Sequence, residues 1–238
     1  WNKTGSCYSI RYKIMKKSLE DKYSDKIVKA FLKNKIIQAL PKKITKKLAN
    51  ADKFRKLCES KIKDPIIGFK AGGTAIPVIK KLREKEPFYA AVFKRNFIKS
   101  GKKVKINMST LGIELEVCYL IKKKFFNYKG KINKRIITRY ISHMAPCIEI
   151  VGYRQRKKGI TSFGDLSSDF GANVKFLIGP KKKFKKINIG NLKTNIQNKK
   201  IKQIVNGNTN TVYVNPINSL IFVLNKLKKD KINLNKNF

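Results

Sequence analysis

Glu114 and Glu116 stand two residues apart inside an otherwise apolar run, Gly112 to Ile121 (Gly-Ile-Glu-Leu-Glu-Val-Cys-Tyr-Leu-Ile). The chain holds 14 acidic residues against 57 lysines and arginines, so carboxylates are scarce. In a strand, residues i and i+2 point to the same face. The spacing therefore projects both carboxylates together and puts Ile113, Leu115 and Val117 on the opposite side. Like charges this close repel, and burial makes each costlier. A divalent cation between them is the common remedy.

A third acid repeats the pattern. Pro146 to Val151 (Pro-Cys-Ile-Glu-Ile-Val) is another short apolar run, with Glu149 inside it. Ile148 and Ile150 face one way, and Cys147 and Glu149 face the other. Three carboxylates from two strands suit Mg²⁺ or Mn²⁺, which take oxygen ligands and keep some waters or substrate oxygens. Spacing alone leaves a second reading open, in which the acids line an exposed strand face and pair with nearby lysines.

The length of 238 residues and 42% hydrophobic content suit one domain with a real core. The formal charge of +43 carries the mark of a polyanion-binding protein. Its distribution does not. Lysines run along the whole chain, arginine is rare, and Ile and Asn are in excess, as an AT-rich coding sequence would produce. Aromatic-and-basic surface motifs are absent. No specific nucleic-acid partner is expected. A basic nucleic-acid-associated protein stays as the rival reading. Cys7, Cys58, Cys118 and Cys147 show no metal spacing, so free thiols in a reducing, cytoplasmic setting are expected. His143 is the single histidine, which leaves little room for a His-based site. No apolar run reaches the length of a membrane span, so no membrane partner is expected.

Residues 1–14 show no periodicity and read as a non-native or disordered leader before Met15. Residues 15–65 read as a helical part, with amphipathic helices over 18–40 and 50–63. Ser18 is the expected N-cap of the first. Residues 66–238 read as a β-rich domain. Strands are expected at 66–70, 88–93, 113–121, 147–151, 174–178 and 211–214, with helices at 75–84 and 133–142. Asn215 and Pro216 open a last helix with Ile217, Leu220, Ile221, Leu224 and Leu227 buried.

These segments, in this order, resemble the 2-keto-4-pentenoate hydratase and 4-oxalocrotonate decarboxylase group of the fumarylacetoacetate hydrolase superfamily. The resemblance runs from about residue 20 to the last helix. Gly68 to Gly72 (Gly-Phe-Lys-Ala-Gly) resembles that group's glycine-aromatic-lysine-x-glycine strand, and Glu86 to Tyr89 its Pro-containing segment. Gly112 to Glu116 resembles its paired glutamates, and Pro146 to Glu149 the segment with the third. Ser168 to Asn173 resembles its Ala-Asp-Asn-Ala-Ser segment, and Asn215 to Leu220 its Asp-Pro-x-x-x-Leu helix start.

The resemblance implies an α+β fold: a rolled mixed β-structure with N-terminal and outer helices, here without the C-terminal closing strand. It implies that Glu114, Glu116 and Glu149 hold Mg²⁺ or Mn²⁺. The substrate would be a small 2-oxo or 2-hydroxydienoic acid, as in aromatic catabolism, converted by a lyase of hydratase or decarboxylase type. Lys70 and Asp169 would be catalytic. Lys70, Gly72, Phe88 and Phe170 would bind substrate. A homo-oligomer is implied. The chain departs from the pattern at three positions. Phe88 stands where many of these hydratases carry Asp, Phe170 replaces an Asn, and Ala172 replaces a Ser. The metal set is matched and the proton-handling set is not. A decarboxylase-like reaction, or an altered or inactive member, fits the departures as well as hydration does.

Three lesser features have plainer readings. Cys118 and Cys147 are expected as small buried fillers. His143 is expected to pack. Gly72 to Thr74 reads as a turn beside Lys70, and Lys181 to Lys199 as a basic elaboration without site residues.

Overall fold

The computed structural model describes residues 18–104, 110–156, 159–185, 188–198, 200 and 202–232. The expectations for residues 1–14, and for a missing closing strand after the last helix, lie outside them.

Ser18 caps the first helix, α1 (Leu19–Lys33): its Oγ accepts from the Asp21 amide. Glu20 and Asp21 in the first turn suit the positive end of the helix dipole. Asn34 then turns left-handed (φ 49°) and ends the helix at Lys33, well short of the expected residue 40. The chain continues through β1 (Ile37–Gln38), α2 (Lys42–Thr45) and α3 (Leu48–Ser60). Then come β2 (Ile66–Gly72), α4 (Ile76–Lys81), β3 (Phe88–Phe93) and β4 (Thr110–Ile121). Next are α5 (Lys134–Tyr140), β5 (Ile141–Gly152), β6 (Gln155–Arg156), α6 (Phe163–Ser167) and β7 (Asn173–Ile178). The described chain closes with β8 (Lys182–Lys183), β9 (Lys193–Asn198), β10 (Gln203–Asn208) and α7 (Pro216–Lys229).

The larger sheet has the order β4-β5-β7, antiparallel throughout, with β8 also paired to β5. β2 and β3 form a separate antiparallel pair, β9 and β10 another, and β1 pairs parallel with β6. This is a mixed α+β arrangement. Of the four apolar clusters among the described residues, the two larger do most to hold it. Ile27 and Phe31 of α1, Phe54 and Cys58 of α3, and Ala91 and Phe93 of β3 form the first. Ile137 of α5, Tyr89 of β3, and Ile217, Leu224 and Leu227 of α7 form the second. β3 reaches both because all six of its residues are buried. Its partner β2 is thereby fixed between the helical layer and the C-terminal helix.

Two expectations need correction. The strand expected at 211–214 is replaced by a 3₁₀ turn, Thr209–Thr211. Asn208 Oδ1 accepts from the Asn210 amide and Thr211 Oγ1 donates to the Asn208 carbonyl, so local side chains take the bonds a strand would need. The stretch read as a plain basic elaboration contributes β9, half of a hairpin with β10.

Candidate metal centre

β4 and β5 bring the glutamates together by register. Glu114 lies directly opposite Glu149, and Glu116 opposite Cys147. Glu116 and Glu149 are thus diagonal neighbours on one face of the pair. Each of Glu114, Glu116 and Glu149 offers a carboxylate oxygen, and these oxygens lie within 4.8 Å of one another. Glu149 is buried, Glu116 half-buried and Glu114 exposed, so the cluster runs from the interior towards solvent.

Lys70 reaches the cluster from β2. Its Nζ donates to Glu149 Oε1 at 2.5 Å and to the Gly171 carbonyl at 3.1 Å. Burial pulls the Lys70 ammonium down, but the Glu149 and Glu114 carboxylates outweigh it, and the pKa is raised. Burial pushes Glu149 up to about 7, against the pull of Lys70. Burial of the Glu116 carboxylate pushes it up to about 8; Lys70 opposes this, and Glu149 and Glu114 add to it. One lysine does not neutralise three carboxylates. Glu149 Oε2 is buried and has no hydrogen-bond partner. An all-oxygen donor set, surplus negative charge and an orphaned buried oxygen together fit a hard divalent cation such as Mg²⁺ or Mn²⁺.

Glu114 and Glu116 of the cluster line a cavity of 770 Å³. Lys70, Gly72 and Phe88 line it as well. Gly72 is held against Phe88, since a Cβ there would sit 2.4 Å from the Phe88 ring. Hairpin residues Thr194, Ile196, Val205 and Asn206 also line it, and so does Leu111. None of these was foreseen. The polar composition of β9 and β10 gives no alternating apolar signal. A second cavity of 630 Å³ shares Lys70, Glu116 and Cys147 with the first and also contacts Glu149.

The structure keeps two expected residues away from this face. The Phe170 ring is fully buried in the first core, 4.3 Å from the Phe31 ring. Asp169 is fully buried and satisfied by Arg154, whose backbone amide donates to Oδ2 and whose Nη1 donates to Oδ1 at 2.9 Å. Burial raises the Asp169 pKa, with Arg154 opposing. Asp169 acts on the site through the backbone: its carbonyl accepts from the Ala172 amide. Phe170, Gly171 and Ala172 all have positive φ (53°, 69° and 59°). The left-handed backbone is costly at Phe170 and Ala172 and free of that penalty at Gly171. The turn swings the Phe170 ring into the core while the Gly171 carbonyl meets Lys70. Arg154 is the residue the sequence reading missed here; its burial comes from the fold and is not marked by its neighbours in the sequence.

Cys147 is buried, and that burial pushes its thiol up to about 12, which suits a filler rather than a nucleophile. Cys118 is shifted the same way. His143 pairs with Leu120 and Lys183 across β5 and lines neither cavity. Among the described residues, no helix is long and apolar enough to cross a membrane.

No protein-family model matches the chain, and no curated protein sequence matches it. Solved structures do. The 4-oxalocrotonate decarboxylase from Pseudomonas putida G7, complexed with magnesium and adipate, matches with a TM-score of 0.71 at 16% identity, over 89% of this chain and 81% of that one. The same enzyme complexed with calcium and acetate gives the same values. At this identity the likeness shows a shared fold.

Proposed function

We propose that this chain is a metal-dependent, lyase-like enzyme acting on a small 2-oxo or 2-hydroxydienoic acid. The convergence of Glu114, Glu116 and Glu149 beside Lys70 carries the reading. The shared fold with a decarboxylase that was crystallised with magnesium or calcium supports it. The same likeness favours the sheets being parts of one rolled β-structure.

Glu114, Glu116 and Glu149 would hold Mg²⁺ or Mn²⁺. When bound, the ion supplies Lewis acidity towards the carboxylate and 2-oxo oxygens of the acid. Lys70 does the rest of the electrostatic work. Fixed by Glu149 and the Gly171 carbonyl, its ammonium faces the cavity, where it can bind an anionic end or give up and recover a proton. The tight Gly72–Phe88 contact gives the cavity a rigid apolar wall. Asp169 and Arg154 position the 170–172 turn. With the Phe170 ring in the core and Ala172 lacking a polar side chain, Lys70 is left as the nearest proton-handling group. That favours decarboxylase-like chemistry over hydration. A cytoplasmic homo-oligomer without a specific nucleic-acid partner completes the proposal.

A polyanion-binding role draws no support from a cluster of carboxylates at the base of the main cavity. The test is a thermal-shift titration with Mg²⁺ or Mn²⁺ and oxalate, a planar enolate mimic. Stabilisation that needs both ion and oxalate is expected. An equal response from Glu114→Gln would overturn the assignment.

A further inference from the structure

The second cavity is lined mainly by apolar side chains. Phe69, Phe97 and Phe176 line it from the strand side, and Val223, Leu224 and Leu227 of α7 from the helix side. It is a cleft of 630 Å³, partly open to solvent, large enough to take part of a small organic ligand.

Its position ties it to a ligand. Its polar end is the candidate site, since Lys70, Glu116, Cys147 and Glu149 all line it.

We infer that the substrate is a 2-oxo acid with an extended apolar tail, and that the tail lies in this second cavity beneath α7 while the acid end meets the carboxylate cluster. The inference rests on the metal-site reading above and adds the class of substituent. A short acid would leave most of the cavity empty. A tail of several carbons would recover the burial that the open cavity forgoes.

The experiment is calorimetric titration of the full chain, at fixed Mg²⁺, with oxalate, 2-oxobutanoate and 2-oxooctanoate. Affinity is expected to rise roughly fourfold per buried methylene, on the order of a hundredfold between the two oxo acids. Leu220→Trp, which places an indole in the cavity, is expected to flatten that series. Oxalate reports whether the carboxylate site is formed. If oxalate binds and the two oxo acids differ by less than about twofold, the tail cavity is wrong and the metal site stands. If oxalate fails to bind with Mg²⁺ present, the metal-site reading falls and this inference falls with it.

Discussion

Glu114 and Glu149 are direct cross-strand partners on β4 and β5, and Lys70 contacts only one of them, donating to Glu149 Oε1. Like charges placed opposite one another destabilise a strand pair. The protein therefore carries a local conflict that a bound cation would relieve.

Replacing Glu114 with Gln should separate stability from binding. The carboxamide keeps the shape and removes one of the opposed charges. The metal-free variant should melt no lower than the parent, while Mg²⁺ affinity should drop at least about tenfold. Paired melting curves with and without Mg²⁺, together with calorimetry, measure both. An unchanged affinity would remove Glu114 from the ligand set.

Lys70→Met should behave in the opposite way. It leaves buried Glu149 and the Gly171 carbonyl without their donor. Breaking a buried pair from one side costs on the order of 3 kcal/mol. Chemical denaturation in EDTA should register that loss, and saturating Mg²⁺ should recover part of it by supplying another positive charge to Glu149. A neutral result would mean the lysine–glutamate contact contributes nothing.

The raised carboxylates set a pH dependence. With Glu116 near 8 and Glu149 near 7, the folded, metal-free protein binds more protons than the unfolded chain above the ordinary carboxylate value of 4.5. Stability then falls as pH rises from about 4.5 to about 8. Cation binding expels those protons, so apparent Mg²⁺ affinity should climb over the upper part of that range. Urea midpoints in EDTA at pH 5.5 and pH 8.5 check the sign; a higher midpoint at pH 8.5 would contradict it.

Asp169→Asn tests whether that residue acts through structure. Its carboxylate serves Arg154 and stands off the metal face. The substitution should lower the melting temperature clearly, by breaking a buried ion pair. The further shift produced by Mg²⁺ with oxalate should persist in the folded variant. Loss of that shift with a normal melting temperature would instead put Asp169 at the substrate.

How legible this arrangement was in the sequence depends on the kind of signal each part needs. Glu114 and Glu116 could be placed on one face from a period of two, and Asn215-Pro216 marked the start of α7 correctly. Glu149 could be put on a strand, but its position opposite Glu114 is a register, and register is decided by tertiary pairing. The boundary of α1 was missed because a single Asn34 entered the left-handed region. Phe170 was expected at the substrate only because it stands where the resembled segment carries Asn; the positive φ values at 170–172 accompany a ring buried in the core. The β9–β10 hairpin was invisible because its Asn, Thr, Gln and Lys residues carry no apolar period.

The carboxylate cluster is an island of acidic groups in a chain of formal charge +43. A cation approaching it must climb the field of the whole molecule, while an anionic acid is drawn inwards. Added salt screens both effects. Raising ionic strength should therefore speed the arrival of Mg²⁺ and slow that of the acid, so the two ligands of one centre would answer the same salt gradient in opposite directions.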